Sequence, residues 1–185
     1  KLQLAVASGM LDLDLTIEQV ESEQPLTHAM KLILAKRDFN VSALFTVLQP
    51  EASSLEVKGI KGAISSINQK LLRVVNHDPA YNLFIEDPIR LFRLVKNCLQ
   101  YPEFKMDVEL TAIVEKTKIN FKGFFYAYLN HAELFSINRG KVSTALENLF
   151  ERFTIASVLK QIDDLGLFTP LFDLNYEDLE PCIHL

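Results

Sequence analysis

Tryptophan is absent, and the 185 residues contain only two cysteines, Cys98 and Cys182. The two thiols have neither paired spacing nor the density of a secreted disulfide scaffold, and Cys182 with His184 supplies only two ligands, which cannot close a zinc shell. Reduced thiols in an intracellular protein are expected, in bacterial cytoplasm or an organelle such as the mitochondrion rather than in secretion. No uninterrupted apolar run is long enough to span a membrane. The first residues also lack the charged, apolar and small-residue order of a signal peptide, although an organellar presequence removed beforehand would leave the same beginning. Positive charge is not in excess either: 19 Lys and Arg stand against 24 Asp and Glu, a net charge of -5. No global field announces a nucleic-acid partner, so any such contact must come from local patches. No internal repeat or low-complexity segment is present.

What the chain does contain is apolar substance. Hydrophobic residues make up 49% of it and phenylalanine alone occurs 13 times, enough for one large or two small packed domains and too much for a disordered chain.

The stretch from Phe84 to Lys96 organises the rest. Asp87 is a suitable N-cap and Pro88 a suitable first helical residue, so a helix is expected to begin here. At about 100° per residue, Leu91, Phe92, Leu94, Val95, Cys98 and Leu99 gather on one side, while Arg90, Arg93 and Asn97 fall opposite. A well-capped amphipathic helix, with acids complementing its dipole, accounts for most of this pattern without any ligand.

Upstream, Leu11-Asp12-Leu13-Asp14-Leu15-Thr16-Ile17 alternates strictly and predicts a strand with both aspartates on one face. Two such carboxylates can hold magnesium, but they can equally be a solvated strand face. From Pro25 the spacing of Leu26, Met30, Ile33 and Leu34 is helical, and Asp38 can cap a short continuation through Leu44. Residues 55–58 read as a strand entering a turn at Gly59 and Gly62. His77 has no triad partner or metal spacing and reads as a surface histidine. Beyond Lys96 every segment reads as helix. Asp107 caps one through about Lys118, Lys141–Leu165 forms one or two, and Gly166 suits the residue after a helix end. The aromatic stretch Phe121, Phe124, Phe125, Tyr126 and Tyr128, interleaved with lysine, could stack exposed bases but is more commonly helix core.

Glu86-Asp87-Pro88-Ile89-Arg90-Leu91-Phe92-Arg93 resembles the neck motif of the bacterial-type poly(A) polymerase and CCA-adding tRNA nucleotidyltransferase family (class II). Three further stretches resemble that family in the same order. They are Lys36-Arg37-Asp38-Phe39-Asn40-Val41-Ser42-Ala43-Leu44 with Gly59 to Gly62 and Leu72-Arg73-Val74-Val75, then Phe104 to Leu110, then Val158 to Phe172 with its Leu165-Gly166-Leu167-Phe168 turn. The likeness covers roughly residues 37–172, with 10–17 as an extension. It implies an α+β fold, predominantly α: the remnant of a nucleotidyltransferase mixed-sheet head over 1–80, then an all-helical neck and body over 81–185. It also implies roles. Asp12 and Asp14 would be the catalytic, magnesium-binding pair, Arg37 and Asp38 would meet the nucleotide's sugar and phosphates, Asp87 and Arg90 would read the base, and Arg93 with Lys96 would contact RNA.

Two departures bear on activity. The family's Gly-Gly-x-Val-Arg-Asp grip ahead of the acid pair has only Ala7-Ser8-Gly9 in its place, and the interval from Asp14 to Arg37 is short. Two classes of function therefore stand. One is a degenerate pseudoenzyme, an RNA-associated or structural subunit of a larger, ribonucleoprotein-like assembly. The other is an active, template-independent enzyme adding A or CCA to RNA 3′ ends with two magnesium ions.

Overall fold

The computed structural model describes residues 2–6, 9–13, 34, 37–46, 57–75, 83–131 and 135–183. The chain divides into two compact units, Lys1–Ile33 and Leu34–Leu185.

In the first unit, β1 (Leu2–Val6) and β2 (Gly9–Leu13) form an antiparallel pair in which Leu2 faces Leu13 and Gln3 faces Asp12. The alternation seen from Leu11 thus belongs to a strand that starts two residues earlier and has a partner. Its expected continuation over 14–17 lies outside the described residues, as do His77 and the 25–33 segment.

The second unit opens with short ladders. A 3₁₀ turn at Asn40–Ser42 leads into β3 (Leu44–Thr46), which pairs antiparallel with β4 (Val57–Gly59). Asp38 therefore does not cap a helix through Leu44. Glycine at 59 allows a close approach: a Cβ there would stand 2.8 Å from Leu44 Cδ2 and 3.1 Å from the Ala43 carbonyl, so a side chain would require both to shift. Gly62 then turns with φ +82 into α1 (Ala63–Asn68), a left-handed conformation that costs a residue with a side chain about 1 kcal/mol. β5 (Leu71–Leu72) pairs in parallel with β6 (Lys105–Met106). On its other side Phe39 bridges Val74, with Asn40 N donating to Arg73 O at 3.0 Å and Val75 N to Asp38 O at 3.0 Å.

The rest is helical: α2 (Leu83–Glu86), α3 (Ile89–Gln100), α4 (Val108–Lys118), α5 (Phe121–Leu129), α6 (Phe135–Phe150), α7 (Ile155–Asp164), α8 (Phe168–Phe172) and α9 (Tyr176–Ile183). This mostly helical chain with small strand pairs is the α+β, predominantly α class that the sequence implied. The central element is α3, whose Leu91, Phe92, Leu94 and Val95 are buried and which packs against α6 and α7. Truncating a fully buried leucine such as Leu91 or Leu94 costs about 2–5 kcal/mol, so this face alone fixes the helix firmly.

Local chemistry sets the ends. Asp107 Oδ1 accepts from Leu110 N at 2.9 Å and starts α4, and Thr154 Oγ1 accepts from Ser157 N at 3.2 Å and starts α7. α7 stops at Gly166, which has φ +67. There Leu167 N donates to Ile162 O and Gly166 N to Asp163 O, the paired bonds of a left-handed helix cap. Lys141–Leu165 is accordingly two helices broken at 151–154. The aromatic stretch divides by helix face: Phe121 and Phe125 are core, stacked at 5.5 Å, while Phe124 and Tyr126 are exposed. No helix among the described residues is long and apolar enough to cross a membrane.

Candidate nucleotide-reading site

The charged side of α3 carries the site. Pro88 leaves the helix start without one donor, and Asp87 Oδ1 accepts from Ile89 N at 3.3 Å, so the expected capping role is present although the helix itself begins at Ile89. The turn α2 just before it, which the sequence did not predict, places Glu86 one helical turn from Arg90. Arg90 Nη1 donates to Glu86 Oε2 at 2.5 Å and to the Leu83 carbonyl at 3.3 Å.

The segment of Asp38 is laid along residues 73–75 by the backbone bonds above, and this brings its carboxylate under α3. Asp38 Oδ1 lies 3.1 Å from Arg90 Nε, and Oδ2 accepts from Arg93 Nη1 at 2.5 Å. The residue is only 8% exposed, whereas the Arg93 side chain is 54% exposed. One buried carboxylate therefore ties together two arginines a helical turn apart. Pairing between Arg37 and Asp38 themselves is not what is found; Asp38 turns to a helix more than fifty residues on, and half-buried Arg37 makes no ion pair among the described residues.

Asp87 keeps a more open position. Its Oδ2 is 3.9 Å from Arg90 Nε and its side chain is 30% exposed. Next to it, burial pushes the Tyr128 hydroxyl above its usual range, the Asp87 charge adds to that rise, and Arg93 opposes it. That hydroxyl is buried without a hydrogen-bond partner among the described residues. Asp38, Asp87, Arg90 and Arg93 are thus brought together, with Glu86 and Tyr128 beside them. Glu86 was visible in principle, since an acid four residues before an arginine on a helix is a pairing signal; Tyr128 was named only as part of the aromatic stretch, with nothing in the sequence to link it to Asp87. Lys96 lies two turns beyond Arg90 on α3 and is half-buried.

A second polar cluster supports the first. Arg73 Nε donates to Asp107 Oδ2 at 2.8 Å and Nη1 to Ser66 Oγ at 3.2 Å, joining α1, β5 and the start of α4. Asn40, 2% exposed, donates Nδ2 to Leu71 O at 2.9 Å and accepts from Arg73 N at 2.9 Å.

Of the proposed metal pair, Asp12 lies in β2 within the first unit, and Asp14 lies outside the described residues. Among the described residues no group of three or more His, Cys, Asp or Glu is placed to hold a metal ion.

No protein-family model matches the chain, and no curated protein matches it. Among solved structures, a complex of a CCA-adding enzyme with CTP is similar, with a TM-score of 0.54 and 18% sequence identity over 82% of this chain. The match takes in 32% of that enzyme's chain, so this protein spans about a third of it. At that identity the likeness is one of fold: this chain shares the fold of part of that CCA-adding enzyme.

Proposed function

We propose that the chain is an RNA-associated, nucleotidyltransferase-like protein whose neck reads a nucleotide base through Asp87 and Arg90. The observation that carries this is the pairing of a partly open carboxylate with a guanidinium 3.9 Å away on the first turn of α3. A base's Watson–Crick edge presents donor beside acceptor, and a carboxylate accepts while a guanidinium only donates, so the two together complement such an edge. The solved relative with this fold holds CTP, which supports a nucleotide as the ligand. Arg93, with its guanidinium half in solvent, and Lys96 extend positive charge along the same helix toward an RNA backbone. With a net charge of -5 the protein has no general attraction for a polyanion, so this local patch and the other subunits of an assembly supply the affinity.

Labelled ATP, CTP and a short single-stranded RNA are titrated by fluorescence anisotropy against the wild type, Asp87→Ala and Arg90→Ala. We expect nucleotide binding in the wild type and a loss of about tenfold in each variant, the scale of one good base contact. A folded wild type that binds neither nucleotide overturns the proposal.

Catalysis is a separate question that turns on Asp12. Its place in a β-strand suits the reading in which Asp12 and Asp14 hold magnesium, an ion that prefers carboxylate oxygens. Bound there, magnesium would neutralise a triphosphate and activate an attacking hydroxyl. Magnesium-dependent addition of labelled ATP or CTP to an RNA 3′ end, abolished in Asp12→Ala/Asp14→Ala, would establish the enzyme; no addition by the folded wild type would leave the RNA-associated subunit.

A further inference from the structure

Asp38 cannot easily serve as a ligand contact, because its surroundings point it inward. Its own carbonyl is held by Val75 N, the next residue, Phe39, is 1% exposed, and Asn40 is bonded through backbone and side chain to residues 71 and 73. With the main chain held on both sides, the carboxylate is committed to the underside of α3. There its two oxygens serve two different arginines.

We propose that Asp38 is a positioning residue: it presets the guanidinium of Arg90, with Arg93 held to the same carboxylate, so that the base-reading group is in place before a nucleotide arrives. The inference rests on the reading of Asp87 and Arg90 given above. An arginine has several rotatable bonds, and a ligand that must order them loses affinity and geometric discrimination. Glu86 and the Leu83 carbonyl hold Arg90 Nη1 by hydrogen bonds, while Asp38 Oδ1 draws the Nε edge as an ion pair at 3.1 Å, not as a hydrogen bond, so the guanidinium is anchored at one nitrogen and oriented by charge at a second. This differs from the sugar and phosphate contact that the sequence resemblance implied for Asp38. It makes a different demand on experiment, because a residue acting through Arg90 has nothing to act through once Arg90 is gone.

The test is a binding cycle with ATP and CTP as probes. Asp38→Asn is compared with the wild type, and Arg90→Ala/Asp38→Asn with Arg90→Ala, by anisotropy and by thermal melting. We expect Asp38→Asn to weaken the tighter nucleotide about tenfold and to draw the ATP-to-CTP affinity ratio toward one. In the Arg90→Ala background the same substitution should change binding by less than about twofold, while lowering the melting temperature in both backgrounds. Equal losses of binding in both backgrounds, or lost stability with unchanged nucleotide affinity, would overturn the proposal. If Asp38→Asn does not fold, Asp38→Glu keeps the charge but displaces the carboxylate from Arg90 and Arg93, and the same dependence on Arg90 decides. A wild type that binds neither nucleotide fails the base-reading proposal itself, so the two failures are told apart.

Discussion

Asn40→Ala is expected to cost far more than a polar-to-alanine change usually does. Asn40 is almost fully buried, and its amide satisfies two main-chain groups of a neighbouring strand, the Leu71 carbonyl and the Arg73 N–H, each at 2.9 Å. Alanine removes both partners at once. Leaving a buried main-chain group unsatisfied costs about 1–3 kcal/mol. Residues 71 and 73 are themselves half-buried, so some water can reach them and the lower half of that range applies. The sum is about 3 kcal/mol, which for a chain of this size lowers Tm by about 6–12 °C. Urea denaturation followed by circular dichroism measures it. Asn40→Asp separates the hydrogen bonds from the volume. The aspartate keeps the acceptor for Arg73 N, loses the donor to Leu71 O, and at neutral pH buries a charge against a carbonyl oxygen. Its folded-state pKa is raised, so the variant's stability is fullest below the unfolded aspartate value of about 3.9 and is lost as pH rises above it. Asn40→Asp should therefore be strongly destabilised at pH 7 and approach the wild type near pH 4. A loss below about 0.5 kcal/mol for Asn40→Ala, or a pH-independent deficit for Asn40→Asp, would refute this account.

Two other predictions concern stability alone. Asp107→Ala removes the cap of α4 and the partner of half-exposed Arg73 together and should cost about 2 kcal/mol, whereas Asp107→Asn keeps a capping oxygen and should cost about half as much in the same urea titration. Burial pushes the Cys98 thiol up to about 11, so folding favours its protonated form. That contribution is complete below the unfolded thiol value of about 8.5 and is lost as pH rises from there toward 11, by about 3 kcal/mol in all. Folding free energy should fall over that window and fall less in Cys98→Ala. Tyr101 and Tyr128, raised by burial as well, keep part of the slope. Iodoacetamide at pH 8 should label Cys98 slowly in the folded protein and rapidly in urea.

The parts of this fold that could be read in advance are those in which neighbours in sequence are neighbours in space. The Asp-Pro start and 3.6-residue apolar spacing announced α3, Asp107 announced α4, and Gly166 marked a helix end because only a left-handed residue closes that turn. The same periodicity could have split the aromatic stretch in part, since Phe121 and Phe125 are one helical turn apart and Tyr126 is off their face, but it could not have separated Phe124, which is three residues from Phe121. What could not be read was partnership at a distance. Asp38 and Arg93 are separated by 55 residues, and neither the strand spacing of two nor the helix spacing of 3.6 links them. Asp38 does not pair with its sequence neighbour Arg37, because the 38–40 segment lies along residues 71–75 and turns its acid toward a helix that the local sequence does not contain. β1 was missed for a similar reason, as the alternation at Leu11–Leu13 names a strand without naming its partner.

The arrangement also says which force sets the geometry of the candidate site. The apolar face of α3 is fixed against α6 and α7, which determines where the helix lies but leaves its long charged side chains free to move. The charged face is fixed from the opposite side, by an acid whose own position depends on a strand edge and on one buried asparagine. Hydrophobic packing thus places the helix, and a hydrogen-bonded chain from Leu71 and Arg73 through Asn40 to Asp38 orients what the helix carries. Helix propensity in α3 can vary with little effect on the second of these. The strand-edge contacts of residues 38–40 cannot, since they supply the only acid found to join Arg90 to Arg93 among the described residues. In this fold the shape of a neck helix is a property of its core, and its ability to read a ligand is a property of the sheet beside it.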